Sequence, residues 1–161
     1  MLFNSIQYFY FFVVTYIFYW TLFKKNLLYQ NIFLLISSYF FYAWWDYRFL
    51  FLIFVSTVVD FFAAKIIYSS NIKKIKALAL IFSLIINLGI LSFFKYYNFF
   101  IDSWVYFFST IGYEIKSIST LSIILPVGIS FYTFQSLSYT IDVYFNRIRP
   151  TKNFINFSTY V

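Results

Sequence analysis

The chain has 161 residues, of which 63% are hydrophobic, 29% aromatic and only 11% charged, with a formal net charge of +7. Soluble globular domains carry about 25% charged residues, so a single soluble core is excluded and a polytopic membrane protein, or part of one, is expected. Cys and His are both absent, which excludes a disulfide framework, a thiol nucleophile, a Ser–His triad and a His-ligated zinc or haem built from this chain alone.

Residues 6–23 form the first apolar run, with no basic residue before them and Lys24 and Lys25 directly after. A cleaved signal peptide has the opposite arrangement, so an uncleaved span with its N-terminus outside is expected. Residues 27–45 form the second run, which ends in the almost wholly aromatic stretch Tyr39 to Trp45. Trp44 and Trp45 beside Asp46 and Arg48 suit a membrane–water interface, where ring and N–H are both satisfied. The third run, 49–68, carries Asp60. An acidic residue inside a span is a functional candidate, but Lys65 lies little more than one turn on, so pairing or interface solvation is the expected role. Lys73, Lys74 and Lys76 follow as the densest basic cluster.

The fourth run, 77–94, holds Asn87 and Gly89 near its middle and is closed by Lys95. Gly89 is expected to admit close helix approach. Residues 96–111 are aromatic but interrupted by Asn98, Asp102 and Ser103. With a partial apolar face from Phe99, Phe100, Trp104 and Phe107, they read as an interfacial or re-entrant helix. Residues 112–122 read as a polar connector containing Glu114 and Lys116.

The stretch from Leu125 to Pro150 differs from the rest. Pro126 fits the first turn of a helix, where its missing N–H has no partner to lose. Between Pro126 and Pro150 there is room for a helix of about 20 residues, roughly 30 Å long, enough to cross a bilayer core. Gly128, Phe131, Tyr132, Gln135, Ser138, Tyr139 and Asp142 fall at helical spacing on one side, and Phe134, Leu137, Ile141 and Phe145 on another. Gln135 and Asp142 would be expensive against lipid, so this side is expected to face protein or a wet cavity. Two roles are open for it: the wall of an intramembrane substrate chamber, or a helix–helix interface in which Gln135 and Asp142 hydrogen-bond to neighbours. Asp142 is also placed to bind Arg147. Residues 154–161 read as the start of another apolar helix, with Asn153 as its cap.

Positive-inside arithmetic tests this order of elements. With the N-terminus outside, and with residues 96–111 not spanning, the clusters at Lys24–Lys25, Lys65 to Lys76, and Arg147, Arg149 and Lys152 all fall on one side. The expected fold is therefore an all-α polytopic membrane protein with about five transmembrane helices plus one interfacial or re-entrant helix. Basic residues fall in short clusters between apolar runs and not on a face, so no nucleic-acid partner is expected. The acidic residues number five and are scattered, without the spacing of a metal site.

The run Leu125 to Ser136 followed by Tyr139 to Tyr144 resembles the hallmark of the membrane-bound O-acyltransferase (MBOAT) family, in its bacterial alginate O-acetylation and teichoic acid D-alanylation branch. Two earlier segments match in order and approximate spacing: Ser38 to Leu50 (SYFFYAWWDYRFL) and Phe93 to Ser103 (FFKYYNFFIDS). The resemblance implies that residues 1–161 are the N-terminal part of a single membrane-embedded acyltransferase domain in a longer chain. It implies transfer of an acyl group, acetyl above all, to hydroxyls of a cell-envelope polysaccharide such as alginate. The donor would be acetyl-CoA or another thioester, with no cofactor bound. Partners would be membrane lipid, a thioester or carrier protein on the donor side, and a polysaccharide or extracellular transferase. The location would be the cell inner membrane. The family's general base is a His in a later part of its fold, so no catalytic residue is assigned here. Gln135, Tyr139 and Asp142 are the chamber-facing or structural polar candidates. A transporter or flippase fragment and a non-catalytic membrane scaffold are the competing readings, since a polar-faced helix with Pro and Gly also suits a transporter.

Overall fold

The computed structural model describes residues 5–21, 26–112 and 126–161, except for the Asn98 side chain, and all regular elements among them are helical. Lys24, Lys25, Leu125 and the connector residues Glu114 and Lys116 lie outside the described residues.

α1 (Ile6–Thr21) lies against α2 (Leu27–Asp46) through ring contacts, Phe11 with Phe40 and Phe41 at 6.1 and 5.9 Å and Tyr8 with Phe41 at 5.5 Å. Asn26 caps α2 by accepting from the Leu28 N–H at 2.9 Å, the usual role of Asn at this position. Asp46 then leaves helical geometry, at φ −160° and ψ 111°. It caps the following 3-10 turn, Tyr47–Phe49, through the Arg48 N–H at 3.0 Å, and holds the Arg48 guanidinium at 2.7 Å. The expected aromatic belt thus ends at a corner fixed by Asp46.

α3 (Leu50–Ser69) is the centre of the molecule and packs against α4 (Lys73–Thr110), α5 (Ile129–Tyr144) and α6 (Phe154–Tyr160). Its buried positions are Ser56, Thr57, Asp60, Phe61, Ala63, Ala64 and Ile67. Most are small, and small residues let helices approach closely where lipid removes the hydrophobic drive for association. One apolar cluster joins Ala64, Ile67 and Val143 with Ala79 and Leu80; a second joins Leu91, Ile129 and Tyr132 with Ile53 and Phe94. The C-terminal halves of α3 and α5 therefore meet the N-terminal half of α4 at one end of the bundle.

Two expectations are corrected here. The interfacial helix at 96–111 is not a separate element: α4 runs unbroken for 38 residues, about 57 Å at the usual rise and longer than a bilayer core. No Gly or Pro lies between Ile90 and Ile111, and Ser103 satisfies its hydroxyl on the Phe99 carbonyl at 2.7 Å, one turn back. Polar residues alone do not end a helix when they can bond within it. The second correction concerns the helix after Pro126, which begins at Ile129 and spans 16 residues. Gly128 sits at φ 75°, a left-handed conformation that glycine adopts without penalty, so Pro126–Gly128 is a turn. At the far end Asn146 is left-handed at φ 57°, and the Arg147 N–H donates to the Asp142 carbonyl at 2.8 Å. This is a Schellman closure with Asn in the glycine position.

Two helical runs, Leu27–Ser69 with its corner at Asp46 and Lys73–Tyr97, are long and apolar enough to cross a membrane. With helices throughout the described residues, this is an all-α membrane protein. The short α6 starts where expected, with Asn153 accepting from the Ile155 N–H at 2.9 Å.

Candidate functional site

Each of the three central helices carries small polar residues four apart: Ser56 and Asp60 on α3, Ser83 and Asn87 on α4, Ser136 and Thr140 on α5. Residues i and i+4 lie one above the other on a helix face, so each helix presents a short polar strip. The fold turns the three strips toward one another. All six residues are at most 1% exposed.

Asp60 is the hub. Its Oδ1 accepts from the Ser83 hydroxyl and from Asn87 Nδ2, the latter at 2.9 Å. Asn87 Oδ1 in turn accepts from the Ser56 hydroxyl, and Ser56 lies 3.3 Å from the Ser136 hydroxyl. Asp60 Oδ2 has no hydrogen-bond partner among the described residues. The expected pairing with Lys65 or solvation at the interface is corrected: Asp60 is 0% exposed, and Lys65 Nζ sits 4.2 Å from the Phe61 ring centroid. A carboxyl group in apolar surroundings must be hydrogen-bonded, and neighbouring helices supply those bonds where water cannot.

The polar candidates on α5 occupy three separate places. Gln135 Nε2 donates to the Tyr160 carbonyl on α6, and its Oε1 is buried without a hydrogen-bond partner among the described residues. The Tyr139 hydroxyl accepts from the Thr151 N–H at 2.9 Å, and its ring lies 4.5 Å from that of Phe157. Both tie α5 to α6. Asp142 pairs with Arg147 at 3.2 Å at the end of the bundle, as its spacing suggested. The side of α5 that is buried is not the side picked out by Phe131, Gln135 and Ser138. It is Ile129, Tyr132, Thr133, Ser136, Leu137, Thr140 and Val143. Phe131 is 74% exposed and Leu137 only 3%. The missed signal is the Thr133–Ser136–Thr140 strip, whose residues are small enough to be buried where Gln is not.

A cavity of about 600 Å³ opens between α1, α2, the Pro126–Gly128 turn and α6, with Phe11, Ser38, Tyr42, Gly128, Tyr132 and Thr159 in its wall. The Tyr42 hydroxyl donates to the Val127 carbonyl at 2.9 Å and so fixes the turn against α2. Gln135, Tyr139 and Asp142 are not in this wall; Gln135 borders a separate surface recess with Phe134 and Tyr160. An aromatic wall with a few hydroxyls suits an apolar or amphipathic ligand, but offers no general base. No cluster of metal-ligating His, Cys, Asp or Glu occurs among the described residues.

No family model matches the chain and no solved structure matches it. Curated relatives do. The chain is 40% identical over 134 residues to the probable alginate O-acetylase AlgI of Pseudomonas aeruginosa, covering 83% of this chain and 25% of that protein. It is 37% identical over 134 residues to the protein of the same name from Azotobacter vinelandii, covering 83% and 26%. It is 36% identical over 122 residues to the peptidoglycan O-acetyltransferase of Helicobacter pylori, covering 76% and 22%. The chain thus spans about a quarter of the length of the curated relatives it matches. The resemblance carried by the three sequence segments and these relatives point to the same family.

Proposed function

We propose, from this chain's kinship with the membrane-bound O-acyltransferases, that it forms part of an enzyme that moves an acetyl group from a thioester donor to hydroxyls of a cell-envelope polysaccharide such as alginate. The observation that carries this reading is the shared sequence with relatives whose names all specify O-acetylation or O-acetyl transfer. Residues 1–161 act as the N-terminal part of one membrane-embedded domain. No His is present in them, so they supply architecture and not the general base.

In this role the Asp60 network fastens α3, α4 and α5 into a rigid wall. A wall that excludes water protects a reactive acyl donor from hydrolysis. Gln135 and Tyr139 brace α6 against that wall, and Asp142 closes its end. The donor side involves a thioester or carrier protein, and the acceptor side a polysaccharide or an extracellular transferase. The protein crosses the inner membrane about five times with its N-terminus outside, a topology favoured by the single end at which the lysines of α4 and the arginines after α5 gather.

The test is deletion of the gene in its native host, followed by measurement of alkali-labile acetate on purified envelope polysaccharide. The expected result is loss of ester-linked acetate, restored by complementation with the intact gene. Unchanged polymer esterification in the deletion strain overturns the reading.

A further inference from the structure

α4 breaks a rule of helix electrostatics. The N-terminal end of a helix carries a partial positive charge and favours anions, yet the first turn of α4 holds Lys73, Lys74 and Lys76 and no acidic residue, and its cap Ile72 supplies no side-chain hydrogen bond. None of these lysines makes an ion pair among the described residues. Local rules broken without internal compensation mark functional sites.

The fold adds more positive charge at the same end. The apolar cluster of Ala64, Ile67 and Val143 with Ala79, Leu80 and Tyr144 places the start of α4 beside the end of α5, so Arg147, Arg149 and Lys152 belong to this end too. Asp142 neutralises Arg147 and Lys65 rests on the Phe61 ring. Lys73, Lys74, Lys76, Arg149 and Lys152 are left as cations without an ion pair among the described residues. All but the half-buried Lys76 are exposed. The opposite end differs: Arg48 is paired to Asp46, and Lys95 donates to the Ser130 hydroxyl at 3.2 Å.

We propose that this surface binds the headgroups of anionic phospholipids in the adjoining leaflet. The partner is chosen by chemistry and position. Five cations directly flanking apolar helices lie at headgroup depth, where each contributes attraction to anionic lipid. The helix N-terminus adds N–H donors suited to a phosphate. The bound phosphates offset the repulsion between the lysines and the helix dipole, so lipid binding stabilises the start of α4. The inference concerns lipid association alone and stands apart from acetyl transfer.

The test uses the native protein, purified into nanodiscs of phosphatidylcholine with or without phosphatidylglycerol and released for native mass spectrometry. Wild type is expected to retain phosphatidylglycerol in preference to phosphatidylcholine. Replacing the five cations by Gln lowers that preference, by roughly fivefold per cation removed. Lys73→Gln with Lys74→Gln provides a milder variant that keeps the test decisive if the fivefold one does not fold. Equal retention by wild type and a folded variant overturns the proposal. Inorganic phosphate added to the discs that contain phosphatidylglycerol forms the second arm: phosphate adducts that displace phosphatidylglycerol would assign the surface to soluble anions and overturn the lipid reading.

Discussion

Asn87 on α4 donates its side-chain amide to the Asp60 carboxyl on α3 at 2.9 Å, and with its own carbonyl oxygen accepts from Ser56 on α3. One amide therefore bridges two positions of the neighbouring helix, and Ser56 passes the connection to Ser136 on α5 at 3.3 Å.

Asp60→Ala removes the acceptor of the Ser83 hydroxyl and of one Asn87 amide hydrogen in the buried interior, while Asn87 Nδ2 keeps the Ser83 carbonyl at 3.0 Å. The expected loss is about 1–3 kcal/mol for each group left unsatisfied. Asp60→Asn retains a carbonyl oxygen for both and is expected to be milder. Thermal unfolding of the detergent-solubilised protein ranks the two; equal melting of both variants and wild type would remove the network as a source of stability.

Tyr139→Phe keeps the ring against Phe157 and deletes only the acceptor of the Thr151 N–H. The expected loss is about 0.5–1.5 kcal/mol. Hydrogen exchange reads it directly, as faster exchange at the Thr151 amide with little change at α3.

Gly89 and Gly128 should respond oppositely to alanine. Outside its own stretch of helix, no atom of the described residues lies within 4 Å of a Cβ added at Gly89, so the expected close helix approach is absent among them. Gly89→Ala is expected to stabilise α4 by about 0.5–1 kcal/mol through its lower unfolded-state entropy. Gly128→Ala forces a side chain into φ 75° and is expected to destabilise by about 1–2 kcal/mol. Melting temperatures of the two variants check the signs.

Asp142 and Arg147 form a pair whose side chains are 36% and 69% exposed. Such pairs contribute about 0–1 kcal/mol, so Asp142→Asn is expected to leave abundance and polymer acetylation near wild type. Acetylation that falls while abundance holds would move Asp142 to a substrate chamber.

A reporter fused after Lys76 and one fused after Thr110 should behave as lying on opposite sides of the membrane, since α4 is one continuous helix. The Lys76 fusion is expected to be cytoplasmic. Reporters on the same side would make residues 96–111 a second span and overturn a single crossing by α4.

Composition alone determined the class of this protein, because so few charges and so many apolar residues leave no soluble solution. The Leu125–Tyr144 motif determined its kinship, and local chemistry gave the cap at Asn153 and the Asp142–Arg147 pair, both of which involve residues a few positions apart. What joined Asp60 to Asn87 and Ser136 was decided only by tertiary structure. Those residues lie 27 or more positions apart, and a polar strip on one helix does not reveal which strip it will meet. For the same reason helical spacing alone does not give the buried side of α5: Gln135 and Asp142 are the more polar residues, but the small hydroxyls of Thr133, Ser136 and Thr140 are what a close helix interface can accommodate.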